Sequence, residues 1–343
     1  MKAAVYTRYG PPDVVHIKDV EKPIPKDNEV LIHVRAASVN ALDGALMKGR
    51  PYIGRLLFGL RQPKDTRPGR DVAGQVEAVG TNVTQFAPGD LVFGLCPSRP
   101  HDAGVAVWVH CQGAFAEYTC APESTVATKP ENVTFEQAAA VPLAALTALQ
   151  GLRDKGRIRP GQKVLINGAA GGVGTFAVQI ARSFGAEVTG VCSTRNVDLV
   201  RSIGADRVID YTQEDFTKSG QRYDLLFDCI GNHALSTCRH VLHPQGILLM
   251  AGTRSGRGMI GLFARLITAL VLSGFVSQKL ITSLSRPSKE DLAIMADLMA
   301  TGKVTPVIDR RYSLSEVPEA IRYLEQGHAR GKVVITVDQT DNT

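Results

Sequence analysis

The chain has 343 residues, of which 44% are hydrophobic and 21% charged, and carries a net charge of +6 at neutral pH. That length exceeds what one hydrophobic core usually serves, so two domains are expected, and the composition excludes a disordered or fibrous protein. No long Lys/Arg block marks a nucleic-acid tail, and the modest positive charge suits an anionic ligand as well as it suits solubility.

The N-terminal run Met1-Lys2-Ala3-Ala4-Val5-Tyr6 reads directly as a strand, without a signal-peptide core or an Arg/Ser-rich transit segment, which implies a cytoplasmic protein. Up to about residue 125, short apolar runs alternate with turns. Val30-Leu31-Ile32-His33-Val34, the run Gly74 to Val79 and Asp90-Leu91-Val92-Phe93 predict an antiparallel β-rich domain. From about 135 the pattern becomes strands alternating with helices, beginning with a helix predicted from Gln137 to Gly151.

The strand-like Lys163-Val164-Leu165-Ile166-Asn167 then leads into Gly168-Ala169-Ala170-Gly171-Gly172-Val173-Gly174. Glycines there permit a tight turn and close approach of a pyrophosphate to backbone N–H groups, at the positive end of the helix that follows. The spacing is G-x-x-G-x-x-G rather than the commoner G-x-G-x-x-G, so the context has to carry the reading. Phe176, Ala177, Ile180 and Ala181 continue at helical spacing, Gly185 ends the helix, and Val188 to Cys192 forms the next strand. Strands at 207–210, 225–228 and 247–250 complete a parallel, doubly wound sheet.

Met259 to Val276 is mostly apolar and reaches the lower limit of a membrane span. Arg265 in its middle would cost about 2.5–3.5 kcal/mol on insertion. Leu262, Phe263, Leu266, Ile267 and Leu270 mark instead the apolar stripe of a helix buried in the protein or at a subunit interface. The alternative is peripheral membrane contact through 254–286, helped by Arg254, Arg257 and Lys279. A helix from Ser315 to Glu325 precedes an isolated strand, Lys332 to Val337, expected to return to the first domain. The expected domains are therefore 1–125 with 311–343, and 126–310. Six cysteines form no C-x-x-C pair, and Cys192 and Cys229 fall in predicted buried strands, which suits free thiols in a reducing compartment.

Several runs together resemble the medium-chain dehydrogenases/reductases of the zinc-independent quinone oxidoreductase, or zeta-crystallin-like, type. They are Ser38-Val39-Asn40-Ala41-Leu42-Asp43, Pro68-Gly69-Arg70-Asp71-Val72-Ala73-Gly74, Gly113-Ala114-Phe115-Ala116-Glu117-Tyr118, Pro142 to Ala148, the glycine loop, and Gly327-His328-Ala329-Arg330-Gly331-Lys332. The resemblance covers nearly the whole chain. It implies an α/β protein with a GroES-like β-rich catalytic domain split around a Rossmann doubly wound parallel-sheet domain, and an active site in the cleft.

In zinc-dependent members, a metal-binding Cys stands where this chain has Asn40, His-Glu where it has Arg70-Asp71, and a further Cys near Leu143. A catalytic zinc needs three ligands of thiolate, imidazole or carboxylate type, so no metal is expected. Cys96 and Cys111, with His101 and His110 between them, could in principle hold a metal, but their spacing matches no compact site, and ordinary loop residues are the expected reading. Without a Lewis acid the easier reaction is hydride delivery to an already electrophilic carbon, as in quinones and α,β-unsaturated carbonyls.

The end of the second strand reads Cys192-Ser193-Thr194-Arg195-Asn196, without the acid that usually meets a free ribose 2′-OH. Ser193 can donate to a 2′-phosphate and Arg195 can pair with it; a solvated arginine is the alternative. The resemblance adds Tyr211, which often contacts the phosphate in members using NADPH, so NADPH is the expected cofactor. It also places Thr147 near the nicotinamide and Lys332 close to the cofactor, although Lys332 could equally be an exposed strand-edge charge. On the substrate side it places Asn40 and Asp43. Asn40 could stabilise the substrate oxygen, or both residues could simply brace the loop entering a helix. Related enoyl reductases carry a proton-donating tyrosine near the position of Tyr52, which otherwise is a loop aromatic closing over apolar substrate.

The expected partner is a small electrophilic substrate, with no nucleic acid, and a homodimer is the family expectation. A 2-enoyl thioester reductase is the alternative enzyme, using 254–286 to dock an acyl carrier. A non-catalytic NADPH-binding regulatory or adaptor protein is the alternative of another class.

Overall fold

The computed structural model describes residues 1–50, 52, 55, 59–63, 66–97, 113–251 and 277–337. The apolar stretch Met259 to Val276 lies outside the described residues, as do His101, His110 and Cys111. The chain divides into two compact units: Met1–Leu143 with Arg286–Gly302 and Pro306–Thr343, and Ala144–Ser285 with Lys303–Thr305.

The first unit opens with the antiparallel pair β1 (Lys2–Val5) and β2 (His16–Asp19). Its main sheet is built on β3 (Glu29–Val39), whose partners include β4 (Asp71–Val79) and β6 (Tyr118–Pro122); β5 (Leu91–Leu95) and β7 (Val126–Thr128) extend it beyond β4. Helix α1 (Ala41–Met47) follows β3 directly, and α2 (Phe135–Ala139) packs on β3 and β4. The core joins Ile32, Val34, Val72, Val76, Val92 and Phe115, all buried. Each such side chain contributes roughly 1.5–3 kcal/mol through its removal from water.

The single helix expected from Gln137 to Gly151 is instead α2 followed by α3 (Pro142–Gln150), which ends in one wider π-type turn, Gly151–Lys155. Pro142 is the reason for the break, since proline lacks a donor and disfavours helical backbone in the residue before it. Thr134 caps α2 by accepting from the Gln137 N–H at 3.2 Å.

The second unit is a six-stranded parallel sheet. Its strands are β8 (Lys163–Asn167), β9 (Glu187–Cys192), β10 (Arg207–Asp210), β11 (Tyr223–Asp228), β12 (Leu242–Met250) and β13 (Lys279–Thr282), in the order β10-β9-β8-β11-β12-β13. This is the doubly wound order with the strand sequence reversing beside β8, where such sheets bind dinucleotides. Helices α4 (Gly172–Ser183), α5 (Val197–Ser202) and α6 (Leu235–His240) connect the strands. Phe176, Ala177, Ile180 and Ala181 of α4 are all buried, as their spacing predicts, and Gly185 adopts φ +77° just past the helix end. Cys192 closes β9 and is buried, whereas Cys229 lies one residue beyond β11 and is half-buried.

The chain then returns to the first unit. Helix α7 (Lys289–Ala300) packs on β7, and β14 (Ile308–Ser313) runs parallel to β15 (Lys332–Thr336). Helix α8 (Val317–Glu325) packs on α1. β15 is thus not isolated: it also pairs antiparallel with β3. β14, Ile-Asp-Arg-Arg-Tyr-Ser, has too few apolar residues to announce itself. The exchange points differ from the expected 125 and 310 because β7 and α2 pack with the first sheet and α7 joins them. Residues 303–305 belong to the second unit because the Gln179 amide bonds both backbone groups of Thr305, at 2.7 and 3.0 Å. Among the described residues, no helix is long and apolar enough to cross a membrane.

Candidate active site

Strand register alone brings three distant segments together at one end of the first unit's sheet. Ser38 stands opposite Asp71 across β3 and β4, and Val39 stands opposite Val333 across β3 and β15. One residue beyond that second pair lie Asn40 and Lys332. Ser38, Asn40, Asp43, Arg70, Asp71 and Lys332 are all buried, so their polar groups must satisfy one another.

They do so through one connected network. Asp71 Oδ2 accepts from Ser38 Oγ at 2.6 Å, from Asn40 Nδ2 at 2.9 Å and from Lys332 Nζ at 3.3 Å. Its Oδ1 accepts from the Leu143 N–H at 3.0 Å. Lys332 Nζ also donates to Asn40 Oδ1 at 2.6 Å. Only one orientation of the Asn40 amide gives the lysine an acceptor and the carboxylate a donor, so the chemistry settles it. Alongside, Asp43 pairs with Arg70 and reaches back to the Asn40 N–H at 2.8 Å, closing the first turn of α1. Burial pushes the Asp43 carboxyl above its ordinary value, against the opposing pull of the Arg70 guanidinium. Two cations and two carboxylates leave the cluster formally neutral.

Of the residues expected on the substrate side, Asn40 and Asp43 therefore meet here with Lys332. Asn40 gives its well-formed N–H bond to Asp71, and among the described residues its amide nitrogen otherwise approaches only the Ser38 carbonyl, at 3.5 Å. Tyr52 stands apart from the cluster. Its ring is 62% exposed and lies 5.0 Å from the Arg55 guanidinium, which bonds the Lys48 and Gly49 carbonyls after α1.

In the second unit, the glycine loop joins β8 to α4. Gly168 adopts φ +88°, and a Cβ on it would meet the Ile230 side chain at 2.7 Å. A Cβ on Gly174 would lie 2.0 Å from the Gly168 carbonyl oxygen, so the loop's own packing demands glycine there. Gly171 differs: its Cβ would meet only Gly168 O, at an ordinary 3.5 Å. That leaves an open face on the loop beside Ala170, Gly172 and Val173. Gly171 is the N-cap of α4 and supplies no side-chain cap, so the first N–H groups of the helix are positioned for an anion. The loop fits a dinucleotide pyrophosphate. Beneath it, Asn167 Nδ2 donates to Asp228 Oδ1 and Asn232 Oδ1, both at 2.9 Å, and Asp228 accepts from the Gly231 N–H at 2.8 Å. Thr147, on α3, shares a hydrogen bond with Ser285 at 2.9 Å.

At the end of β9, Ser193 Oγ accepts from Asn196 Nδ2 at 3.1 Å, which leaves the serine proton for another acceptor. Arg195 is exposed, and Tyr211 is exposed just past β10, its N–H on the Cys192 carbonyl. Asp210 stands opposite Cys192 in register, so an acid does occur nearby, on the neighbouring strand. Its carboxylate accepts from the Thr194 hydroxyl at 2.6 Å and from the Thr212 N–H and hydroxyl at 3.0 and 2.8 Å. These bonds, that from Thr194 foremost, hold its pKa below the usual carboxylate value.

Sequence reasoning missed Ser38, Asp71, Asn167, Asp228 and Ser285 as parts of these networks. Asp71 alone had a signal, since it falls beside Arg70 at a position where relatives bind metal.

A β-rich unit with a buried charge cluster, joined to a parallel sheet with a pyrophosphate-type loop, defines a two-domain nicotinamide-dependent oxidoreductase. Residues 26–131 match the family described as alcohol dehydrogenase GroES-like domain, and residues 203–335 match the family described as zinc-binding dehydrogenase. The chain is 35% identical over 340 residues to a 2-methylene-furan-3-one reductase of Solanum lycopersicum, covering 98% of this chain and 79% of that protein. It is 35% identical over 341 residues to a chloroplastic NADPH-dependent alkenal/one oxidoreductase of Arabidopsis thaliana, with the same coverage of 98% and 79%. The quinone oxidoreductase of Coxiella burnetii superposes with a TM-score of 0.84 at 30% identity, over 98% of this chain and 99% of that one. The chain belongs to the medium-chain dehydrogenase/reductase superfamily, among its quinone oxidoreductases and enone reductases.

The donor set here does not fit zinc. Both carboxylates are already paired, Asp71 with Lys332 and Asp43 with Arg70; Asn40 offers an amide oxygen already taken by Lys332, Arg70 is a permanent cation, and Leu143 presents an N–H to the cluster. The Lys332 ammonium lies 3.3 Å from Asp71 Oδ2 and already balances that carboxylate. Among the described residues, no group of three or more His, Cys, Asp or Glu could hold a metal ion.

Proposed function

We propose that this chain reduces quinones or α,β-unsaturated carbonyls with NADPH and without zinc. The observation that carries this reading is the Asn40–Asp71–Lys332 cluster, where a fixed ammonium takes the place a divalent ion would need. Such a site offers hydrogen bonds to a substrate oxygen rather than direct coordination of an alkoxide. It therefore suits substrates whose own conjugation carries the developing charge. The names of the tomato and Arabidopsis relatives are of this substrate class.

When bound, the nicotinamide supplies the hydride. Gly168 to Gly174 hold the pyrophosphate against the N–H groups at the start of α4. Ser193, oriented by Asn196, would donate to the 2′-phosphate, with Arg195 and Tyr211 as its further contacts. Asp210, committed to Thr194 and Thr212, is turned to its own loop rather than to a ribose hydroxyl. Thr147, hydrogen-bonded to Ser285, would lie near the nicotinamide. Asn40 and Asp43 hold the entry to α1 rigid on the substrate side. Tyr52 is the candidate proton donor, and water serves where the product is a hydroquinone.

The test is NADPH oxidation by chelator-treated protein against a quinone, an alkenal and a 2-enoyl thioester, with NADH in parallel. Turnover of the quinone or alkenal after chelation, with NADPH preferred, is the expected result. Activity that returns only with added zinc would refute the metal-free site. Turnover of the thioester alone would assign the chain to enoyl thioester reduction, and equal use of NADH would remove the 2′-phosphate contacts.

A further inference from the structure

We propose that Lys332 is itself catalytic: its ammonium donates the hydrogen bond that stabilises the substrate oxygen as it becomes an oxyanion. This rests on the reductase reading above and adds to it the residue that performs the stabilisation.

An ammonium has three donors. Two of Lys332's go to Asn40 Oδ1 at 2.6 Å and Asp71 Oδ2 at 3.3 Å, and the third has no partner among the described residues. The residue is 3% exposed, and burying a cation is costly unless something is gained. Hydrogen-bond satisfaction of Asp71 does not account for it. Asp71 already accepts from three neutral donors, Ser38 Oγ, Asn40 Nδ2 and the Leu143 N–H, while Asp43 has its own counter-ion in Arg70. Asp71 could be held without a lysine.

The same bonds remove the obvious competitor. By accepting from Lys332 on its oxygen, Asn40 turns its nitrogen to Asp71, so its strong donor is committed inside the cluster. Asn40 thus positions Lys332 rather than donating to the substrate itself. The cluster holds one cation rigidly, with one donor left for an incoming oxygen.

The step balances as follows. Hydride adds to the β-carbon, and the C=C electrons shift to make the C=C–O⁻ of an enolate. The Lys332 N–H stabilises that oxygen without transferring its proton, and a proton then reaches the α-carbon from Tyr52, which solvent reprotonates. NADPH is the reductant and leaves as NADP⁺.

The experiment compares wild type, Lys332→Met and Lys332→Ala on an enone series of graded electrophilicity, with NADPH affinity measured separately by fluorescence titration. Loss of one oxyanion donor lowers kcat by roughly 10²–10³-fold. The expected loss is largest for the least electrophilic enones, with the NADPH Kd within twofold of wild type. Methylammonium should restore the Lys332→Ala rate saturably, which a merely structural lysine would not show. Should these variants fail to fold, Lys332→Gln keeps a neutral donor for Asp71 and carries the same comparison. A variant kcat within threefold of wild type, a loss matched by weaker NADPH binding, or an enone-independent loss without amine rescue would overturn the proposal. Absence of wild-type turnover on every enone and quinone would instead overturn the reductase reading itself.

Discussion

Replacing Asp71 by asparagine keeps the shape of the cluster but removes the carboxylate beside Lys332. Coulomb's law at an effective dielectric near 20 gives about 5 kcal/mol for unit charges at the observed separation of 3.3 Å. Breaking a buried pair from one side typically costs 3–5 kcal/mol, because the other charge stays buried and unpaired. Asparagine also turns an N–H toward either the Leu143 N–H or the donors from Ser38 and Asn40, leaving donors face to face. The expected cost of Asp71→Asn is therefore about 3–5 kcal/mol. At roughly 2–4 °C per kcal/mol for domains of 150–250 residues, Tm should fall by about 6–20 °C. Lys332→Met alone should cost less, since three neutral donors still satisfy Asp71. The double variant should recover about 2 kcal/mol of the summed single losses. Thermal and urea unfolding followed by far-UV circular dichroism measure all four corners of the cycle. A single-variant loss below about 1 kcal/mol, or additivity within about 0.5 kcal/mol, would show that the ion pair is not coupled as the geometry requires.

Gly171→Ala should leave Tm unchanged and weaken NADPH binding at least about tenfold, because its methyl group fits the protein but stands on the loop's open face. Gly174→Ala should lower Tm as well, since its Cβ would lie 2.0 Å from a backbone oxygen; titrations and melts of both variants separate the two effects. His33, stacked on Tyr118 at 4.7 Å, has its pKa lowered by burial first and by Arg35 next. The unfolded chain therefore binds a proton more readily than folded His33, so stability should rise with pH through the window below 6.5. His33→Gln should flatten that slope, and an unchanged slope would contradict the assignment. Burial raises the Cys120 thiol to about 12 and the Cys192 thiol to about 11, and pushes Cys229 up as well. At pH 8 these three should resist a thiol-exchange reagent until the protein unfolds, as mass mapping of labelled peptides would show.

The dinucleotide half of the protein was legible because its information is local. The β8–loop–α4–β9 unit spans residues 163–192, and its strand and helix periods, the glycines at 168, 171 and 174, and the terminator Gly185 lie within a few turns of one another. Apolar spacing placed Phe176, Ala177, Ile180 and Ala181 in the core for the same reason. Where local rules conflicted, the sequence misled: a continuous apolar pattern suggested one helix across Pro142, and backbone chemistry divided it.

The substrate-side cluster could not be read in that way. Lys332 meets Asn40 across 292 positions and Asp71 across 261, contacts created only by the registers of β15 on β3 and of β3 on β4. A one-residue slip in either register would send these side chains to the opposite face. Residue types alone thus determined that a nucleotide loop exists, and that the Asn40, Arg70 and Leu143 positions lack metal-ligand side chains. Only the tertiary structure decided that a lysine from the last strand fills the centre, because burial makes each polar group there depend on partners the chain brings from far away.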